Sequence, residues 1–232
     1  MFTRVGIAVV VLVVAACGAP RPRLPEPPTP LQPAPSAQIL PAPGTYRIDS
    51  SQSDLRVLVY RAGPLASFGH NHVIVNRTMN GTVRVAETPS ASSFSISVPV
   101  DSFVVDDVHA RQEEGSDFPG DIPEDAKAGT FHNMLSAMVL NTAQFPVITV
   151  TGMALAGTPG APSADLTLNV AGHESTVHAP FVLQSDAHHL TASGSLELKQ
   201  TAIGLTPYSL MLGALQVQDA MRLKFKIVVL IS

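Results

Sequence analysis

Asp165 to Gln184 reads DLTLNVAGHESTVHAPFVLQ, and its two arms decide the fold class. Leu166, Leu168 and Val170 alternate with Asp165, Thr167 and Asn169. The chain then turns through Gly172, and Val177, Ala179, Phe181 and Leu183 resume the alternation on the return. A period of two puts alternate side chains on opposite faces of an extended strand, so each arm has one apolar and one mostly polar face. The stretch therefore predicts an antiparallel hairpin, half-buried on one side. Phe145-Pro-Val-Ile-Thr-Val precedes it, and Gly194-Ser-Leu-Glu-Leu-Lys and Ala202-Ile-Gly-Leu-Thr follow, so the hairpin belongs to a run of short strands.

The same period extends outward in both directions. Thr45-Tyr-Arg-Ile-Asp and Ser53 to Tyr60 read as strands, the second with Leu55, Val57 and Val59 on one face. Gly63-Pro64 breaks the pattern, and Ser67 to Asn76 resumes it with an interruption near Gly69 of the kind a bulge makes. Asn80-Gly81 is a two-residue hairpin signal leading into Thr82-Val-Arg-Val, and Phe94 to Val100 alternates again. At the C-terminus, Leu215, Val217, Asp219, Met221, Leu223, Phe225, Ile227 and Val229 alternate with a largely polar set. Between Asp101 and Gln144 the period changes. Asp121-Ile-Pro-Glu124 resembles a capping box, and Phe131, Met134, Leu135 and Met138 recur at helical spacing, which predicts a helix over Pro123 to Met138. Gly129 within it costs roughly 1 kcal/mol relative to Ala, so the helix needs tertiary contact.

The segments sum to at least eight strands and one helix of about four turns. That strand number lets a closed antiparallel sheet enclose side chains or one slender ligand, with the helix at or near its mouth. An open sandwich is the alternative. The polar outward faces exclude a membrane-spanning barrel, whose lipid face is apolar.

The ordered series F-P-x-I-x-V, L-T-L-x-x-x-G-x-x-x-x-V, G-x-L-x-L and a late I-G-L, spread over Thr45 to Ile231, resembles the YceI-like family. That resemblance implies an all-β, closed, lipocalin-like barrel in the bacterial periplasm, holding a long apolar ligand such as a polyisoprenoid or fatty acyl chain. Phe131-His132-Asn133-Met134-Leu135 stands where the family has a charged, His-containing stretch before its F-P strand. Val105 to Gly120 is longer and more acidic than the family pattern. The candidate ligand contacts are Phe68, Phe103, Phe131, Met134, Phe145, Phe181, Met221, Leu223 and Phe225. For the helical Phe and Met residues, core packing is the other reading.

Residues 1–16 read as a signal peptide: Arg4 supplies the positive start, Val5 to Val14 the apolar run, and Ala15-Ala16 the small-residue stop. The apolar run falls well short of the roughly 20 residues a membrane-spanning helix needs, so an uncleaved span is the weaker reading. Val14-Ala15-Ala16-Cys17 is similar to the lipobox of bacterial lipoproteins, which makes Cys17 the expected lipidation site. The alternative is an ordinary signal peptide with a chance Cys at its end. Gly18 rather than Asp after the Cys is similar to sorting signals that favour the outer membrane, with the domain facing the periplasm. Ten prolines crowd Gly18 to Gly44, a composition that cannot fold compactly, so residues 17–44 read as a lipidated Cys plus a semi-rigid linker. Residues 45–232 are then the domain.

With a formal charge of −4 and dispersed Lys and Arg, the chain lacks the clustered basic face that nucleic acid requires. Cys17 is its one cysteine, so no intramolecular disulfide supports the fold. Catalytic signals are missing: there is no G-x-S-x-G, and Ser193-Gly-Ser195 lies in an alternating strand. No phosphate-cradling G-x-G-x-x-G occurs. These point away from an enzyme and from any cofactor beyond the apolar ligand. His70 and His72 share a face at i, i+2, which makes them the alternative metal ligands, with a third from His109, His132, His173 or His178. His188-His189 reads as a turn. A metal-binding or purely structural envelope lipoprotein is therefore the competing function.

Overall fold

The computed structural model describes residues 41–158 and 161–231; the signal-peptide, Cys17 and most of the linker readings lie outside them. Among the described residues the strands are β1 (Gly44–Arg47), β2 (Asp54–Ala62), β3 (His72–Asn76), β4 (Asn80–Val85), β5 (Ser93–Pro99), β6 (Val104–Val105), β7 (Val147–Thr158), β8 (Ala161–Val170), β9 (His173–Pro180), β10 (Val182–Ser185), β11 (His189–Lys199), β12 (Ser209–Leu210) and β13 (Leu215–Leu230). Two helices, α1 (Val108–Glu114) and α2 (Glu124–Leu135), interrupt them. One sheet runs β1-β4-β5-β7-β8-β9; the other runs β10-β11-β13-β2-β3-β6, with β12 also on β13.

The hairpin read from Asp165 to Gln184 forms as β8 and β9, with Val170 opposite His173. Its tip is Ala171-Gly172, at φ 49 and φ 80. Positive φ at both central residues is the turn whose twist matches that of paired strands. The return arm is not one strand, however. It changes sheet at Pro180-Phe181, and Val182 to Ser185 pair with β11 in the opposite sheet.

That corner corrects the predicted barrel of about eight strands: the fold is all-β and antiparallel, but neither sheet closes. Pro180 has no N–H to extend the ladder, nor has Pro162 one strand over, and the Phe181 N–H turns to the Pro162 carbonyl at 3.0 Å. At the far side, the chain just after β1 meets the second sheet through an isolated bridge, Ile48 with Val229, and through the Asp49 N–H bonded to the Val228 carbonyl at 2.8 Å. The β6 edge is two residues long and ends at Asp106, which sits at φ 56. The two sheets thus face each other as separate layers.

Several local expectations also change. Asn80-Gly81 makes no hairpin: β3 and β4 belong to different sheets, and fully buried Met79 carries the crossover. The expected bulge near Gly69 is a 3-10 turn over Ala66–Phe68, and the strand starts at His72. Ala202-Ile-Gly-Leu-Thr is not a strand, because Thr201–Ile203 form a 3-10 turn whose first N–H bonds Asp219. The single helix over Pro123 to Met138 is shorter, with Pro123 at its N-cap and Ser136 at its C-cap, and α1 is an additional helix. Asp107 caps α1 by accepting from the Ala110 N–H at 2.9 Å.

The acidic stretch before α2 covers the outer face of the second sheet. There Leu58, Val73 and Val75 pack on Ala110 and Phe118, so β2 and β3 are buried on both faces. Ion pairs staple this layer down. Glu114, with its side chain almost wholly buried, meets both Arg56 and Lys224.

Candidate functional site

Between the sheets lies a cavity of about 320 Å³. Its walls follow from the period of two. Leu55, Val57 and Val59 come from β2, Leu166, Leu168 and Val170 from β8, and Met221, Leu223, Phe225, Ile227 and Val229 from β13. Val177, Ala179, Phe181 and Leu183 keep their alternation through the Pro180 corner, so all four still face inward although they divide between two sheets.

Two aromatic rings sit over glycines. Phe225 stands opposite Gly194 and Phe94 opposite Gly152 in the strand registers. A Cβ at Gly194 would lie 2.7 Å from Phe225 Cζ. Missing side chains on the neighbouring strands let both rings settle against the backbone, leaving the space between the sheets open.

Among the described residues, the lining carries no ionisable side chain. Its polar members are Ser92, Ser93 and Gln200. Ser92 Oγ accepts from the Ala86 N–H at 3.0 Å, and Gln200 Nε2 donates to the Gln218 carbonyl at 2.7 Å. Left empty, 320 Å³ of apolar space would cost on the order of 8 kcal/mol at roughly 24 cal/mol per Å³. That is large on the scale of a typical domain's stability. Its chemistry suits an uncharged, flexible, apolar ligand, and its size falls at the lower end of known small-molecule pockets.

Of the candidate contacts, Phe103, Met134, Phe181, Met221, Leu223 and Phe225 line the cavity. Phe131 packs on the core beside it. Phe145 lies against Gly172 at the hairpin tip, and Phe68 is 78% exposed on the Ala66–Phe68 turn. Phe94, Ile96, Val150 and the β2 residues line it without having stood among the candidates; strand alternation is the signal that marks them. Met138, placed on the helix face by spacing, lies beyond α2 and is exposed.

The histidines do not converge. His70 is exposed, while His72 turns its Nδ1 to Asp106 Oδ2 at 2.6 Å, and the two rings are 6.2 Å apart. Among the described residues, no three His, Cys, Asp or Glu side chains group as a metal would require. His188 and His189 bond their backbone N–H groups to Asp186, forming the expected turn. Asp106 is the centre of a different arrangement. Its fully buried carboxylate receives Arg111 Nη1 at 2.6 Å and the Val73 N–H at 3.0 Å, besides His72. Burial acts to raise its pKa, but these hydrogen bonds outweigh it, and the carboxyl stays below its ordinary range. Arg111 spends its other donors on the Asn71, Pro119 and Gly120 carbonyls. The cluster fixes the loop and α1 to β3, and Thr130 of α2 reaches His72 Nε2 at 3.5 Å.

No curated protein matches the chain. Among solved structures, the fold is similar to that of BcnA from Burkholderia cenocepacia, at a TM-score of 0.58 and 15% identity over 78% of this chain and 98% of that one. It is similar, too, to a polyisoprenoid binding domain from Saccharophagus degradans implicated in plant cell wall breakdown, at a TM-score of 0.55 and 14% identity over 81% and 98% of the two chains. Likeness at such identities is one of fold. The family model for the YceI-like domain matches residues 46–229, nearly all of the described residues. The chain is a member of the YceI-like domain family.

Proposed function

We propose that this domain binds one long apolar chain, a polyisoprenoid or a fatty acyl group, between its two sheets, for carriage or sequestration rather than catalysis. The carrying observation is the 320 Å³ cavity, lined mainly by aliphatic and aromatic side chains and, among the described residues, by no ionisable group. Among the described residues its walls hold no titratable side chain to act as a general acid or base on a bound chain. The Saccharophagus degradans domain of similar fold, described as polyisoprenoid binding, supports the ligand class. The reading includes anchorage in the bacterial envelope through lipid on Cys17, at the outer membrane and facing the periplasm, so that the bound chain is drawn from or kept near a membrane.

Removal of apolar ligand surface from water, at about 25 cal/mol per Å², drives such binding and leaves a negative heat-capacity change as its mark. Met221 is buried on β13 and lines the cavity, which makes it the residue to change. Met221→Phe narrows the space while keeping it apolar, and the variant is expected to fold and to prefer shorter chains. The decisive measurement is mass spectrometry of organic extracts from the purified full chain, followed by calorimetry with isoprenoid and fatty acyl ligands. Absence of both extracted lipid and any heat-capacity change would discard the binding reading in favour of a structural one.

A further inference from the structure

Large apolar side chains crowd two loop tips at one end of the second sheet. Phe68 is 78% exposed, Met211 74% and Leu212 109%, with Leu210 at 42% and Leu65 at 36%. The tips, one running through Gly63–Gly69 and the other through Ser209–Ala214, meet through their backbones. The Leu65 N–H donates to the Ala214 carbonyl at 2.8 Å, and Gly63, at φ 90, lets the strands approach so closely that a Cβ there would stand 2.5 Å from the same oxygen.

Exposure of this kind runs against burial, and it coincides with backbone in an unfavourable state. Met211 and Leu212 lie at φ 50 and φ 56, a left-handed conformation that bulky side chains rarely adopt. Singly exposed apolar residues are ordinary, but five of them on two loops joined by a backbone hydrogen bond mark an interaction site. Its charge identifies the partner. Neither Arg61 to His72 nor Thr206 to Gln218 contains a carboxylate, in a chain whose formal charge is −4. Arg61 lies along the first tip, its Nη1 donating to the Gly69 carbonyl at 2.6 Å, and His70 is exposed beside it. The nearest acids, Asp117 against Asn71 and Asp219 after Gln218, lie behind the tips, and apolar tips flanked by Arg61 match the boundary between anionic headgroups and acyl chains.

We propose that these paired tips dock the domain on a phospholipid bilayer that contains anionic lipid. The docking is separate from any N-terminal anchor, which tethers the chain without orienting the domain. It also places the Thr201–Leu205 end of the cavity toward the membrane, because Ile203 and Leu205 line the cavity only a few residues before the second tip. That orientation rests on the ligand reading above, whereas docking itself does not.

The chain contains no Trp, so one introduced residue serves as a reporter. Full-length protein carrying Leu212→Trp is reconstituted with vesicles of phosphatidylethanolamine and phosphatidylglycerol, with brominated acyl chains as quencher. A Met153→Trp protein, altered at an exposed site on the first sheet, is the control. Emission from position 212 is expected to shift to the blue and be quenched, and emission from position 153 to remain unchanged. Adding Phe68→Glu and Met211→Glu should reduce the docked fraction by about tenfold or more, equivalent to at least about 1.4 kcal/mol. Unchanged co-purified lipid in that variant would show that docking and cavity binding are independent. No quenching at position 212, or equal quenching at both positions, overturns the proposal. A blue shift that depends on protein concentration without vesicles also overturns it, assigning the tips to a second copy of the chain.

Discussion

Phe225 and Gly194 face each other across β13 and β11, and the ring occupies the place a side chain at residue 194 would take. Gly194→Ala is therefore expected to push Phe225 into the cavity. Overpacking of this sort costs roughly 1–3 kcal/mol. The Pro180 carbonyl, 2.9 Å from where the new methyl carbon would stand, limits any shift the other way. Chemical denaturation should report the loss of stability, and chain-length profiling of bound lipid should show a shift to shorter ligands. A variant that keeps the wild-type profile would mean that Phe225 does not set the available length.

Asp106→Asn leaves Arg111 buried without its carboxylate, while preserving the size of the side chain. Breaking a buried pair in this manner costs about 3–5 kcal/mol, largely from the charge left behind. The loss should appear as a lower denaturation midpoint and as faster amide exchange in α1, which the cluster holds to β3. An effect under about 1 kcal/mol would place the pair among surface-like contacts.

The same carboxylate gives the stability a pH dependence of known sign. Its folded pKa lies below the ordinary value of 3.8, so the unfolded chain binds its proton more readily. The stabilisation is full above that value and is lost as pH falls through the lower, folded one. Acid titration of wild-type protein and Asp106→Asn should accordingly show their stabilities converging below about pH 4. A constant gap throughout that range would remove Asp106 as the source.

Chelation should leave the thermal midpoint unchanged. His72 commits Nδ1 to Asp106 and turns Nε2 toward Thr130, so its ring is not free to join His70. Stoichiometric transition metal, lost in the His70→Ala, His72→Ala double variant, would instead favour the metal-binding alternative.

Cys17→Ser should move the protein from the membrane fraction to the soluble fraction after a high-salt wash. Docking through exposed loop tips is weak and salt-sensitive, while several acyl chains together anchor stably. Retention after the wash would point to an uncleaved apolar segment.

The sequence by itself determined that the domain is antiparallel β, that Asp165 to Gln184 turns through Gly172, and that Met221, Leu223 and Phe225 share a face with other large apolar residues. These are local properties: side-chain alternation and turn chemistry act between neighbours, and they are readable without knowing the partner strand. Tertiary structure decided what the faces enclose. The alternation from Val177 to Leu183 looks like one strand because both sheets bury their inner sides, yet the missing N–H of Pro180 sends its two halves to different sheets. The Asn80-Gly81 signal yielded to a crossover between the sheets, with Met79 fully buried beside it. Asp106 found His72 and Arg111 only through the folding of the acidic loop over β3. The cavity was least legible of all. Its volume is the difference between the spacing of two sheets and the summed side chains of many strands, and no local pattern in the chain encodes that difference.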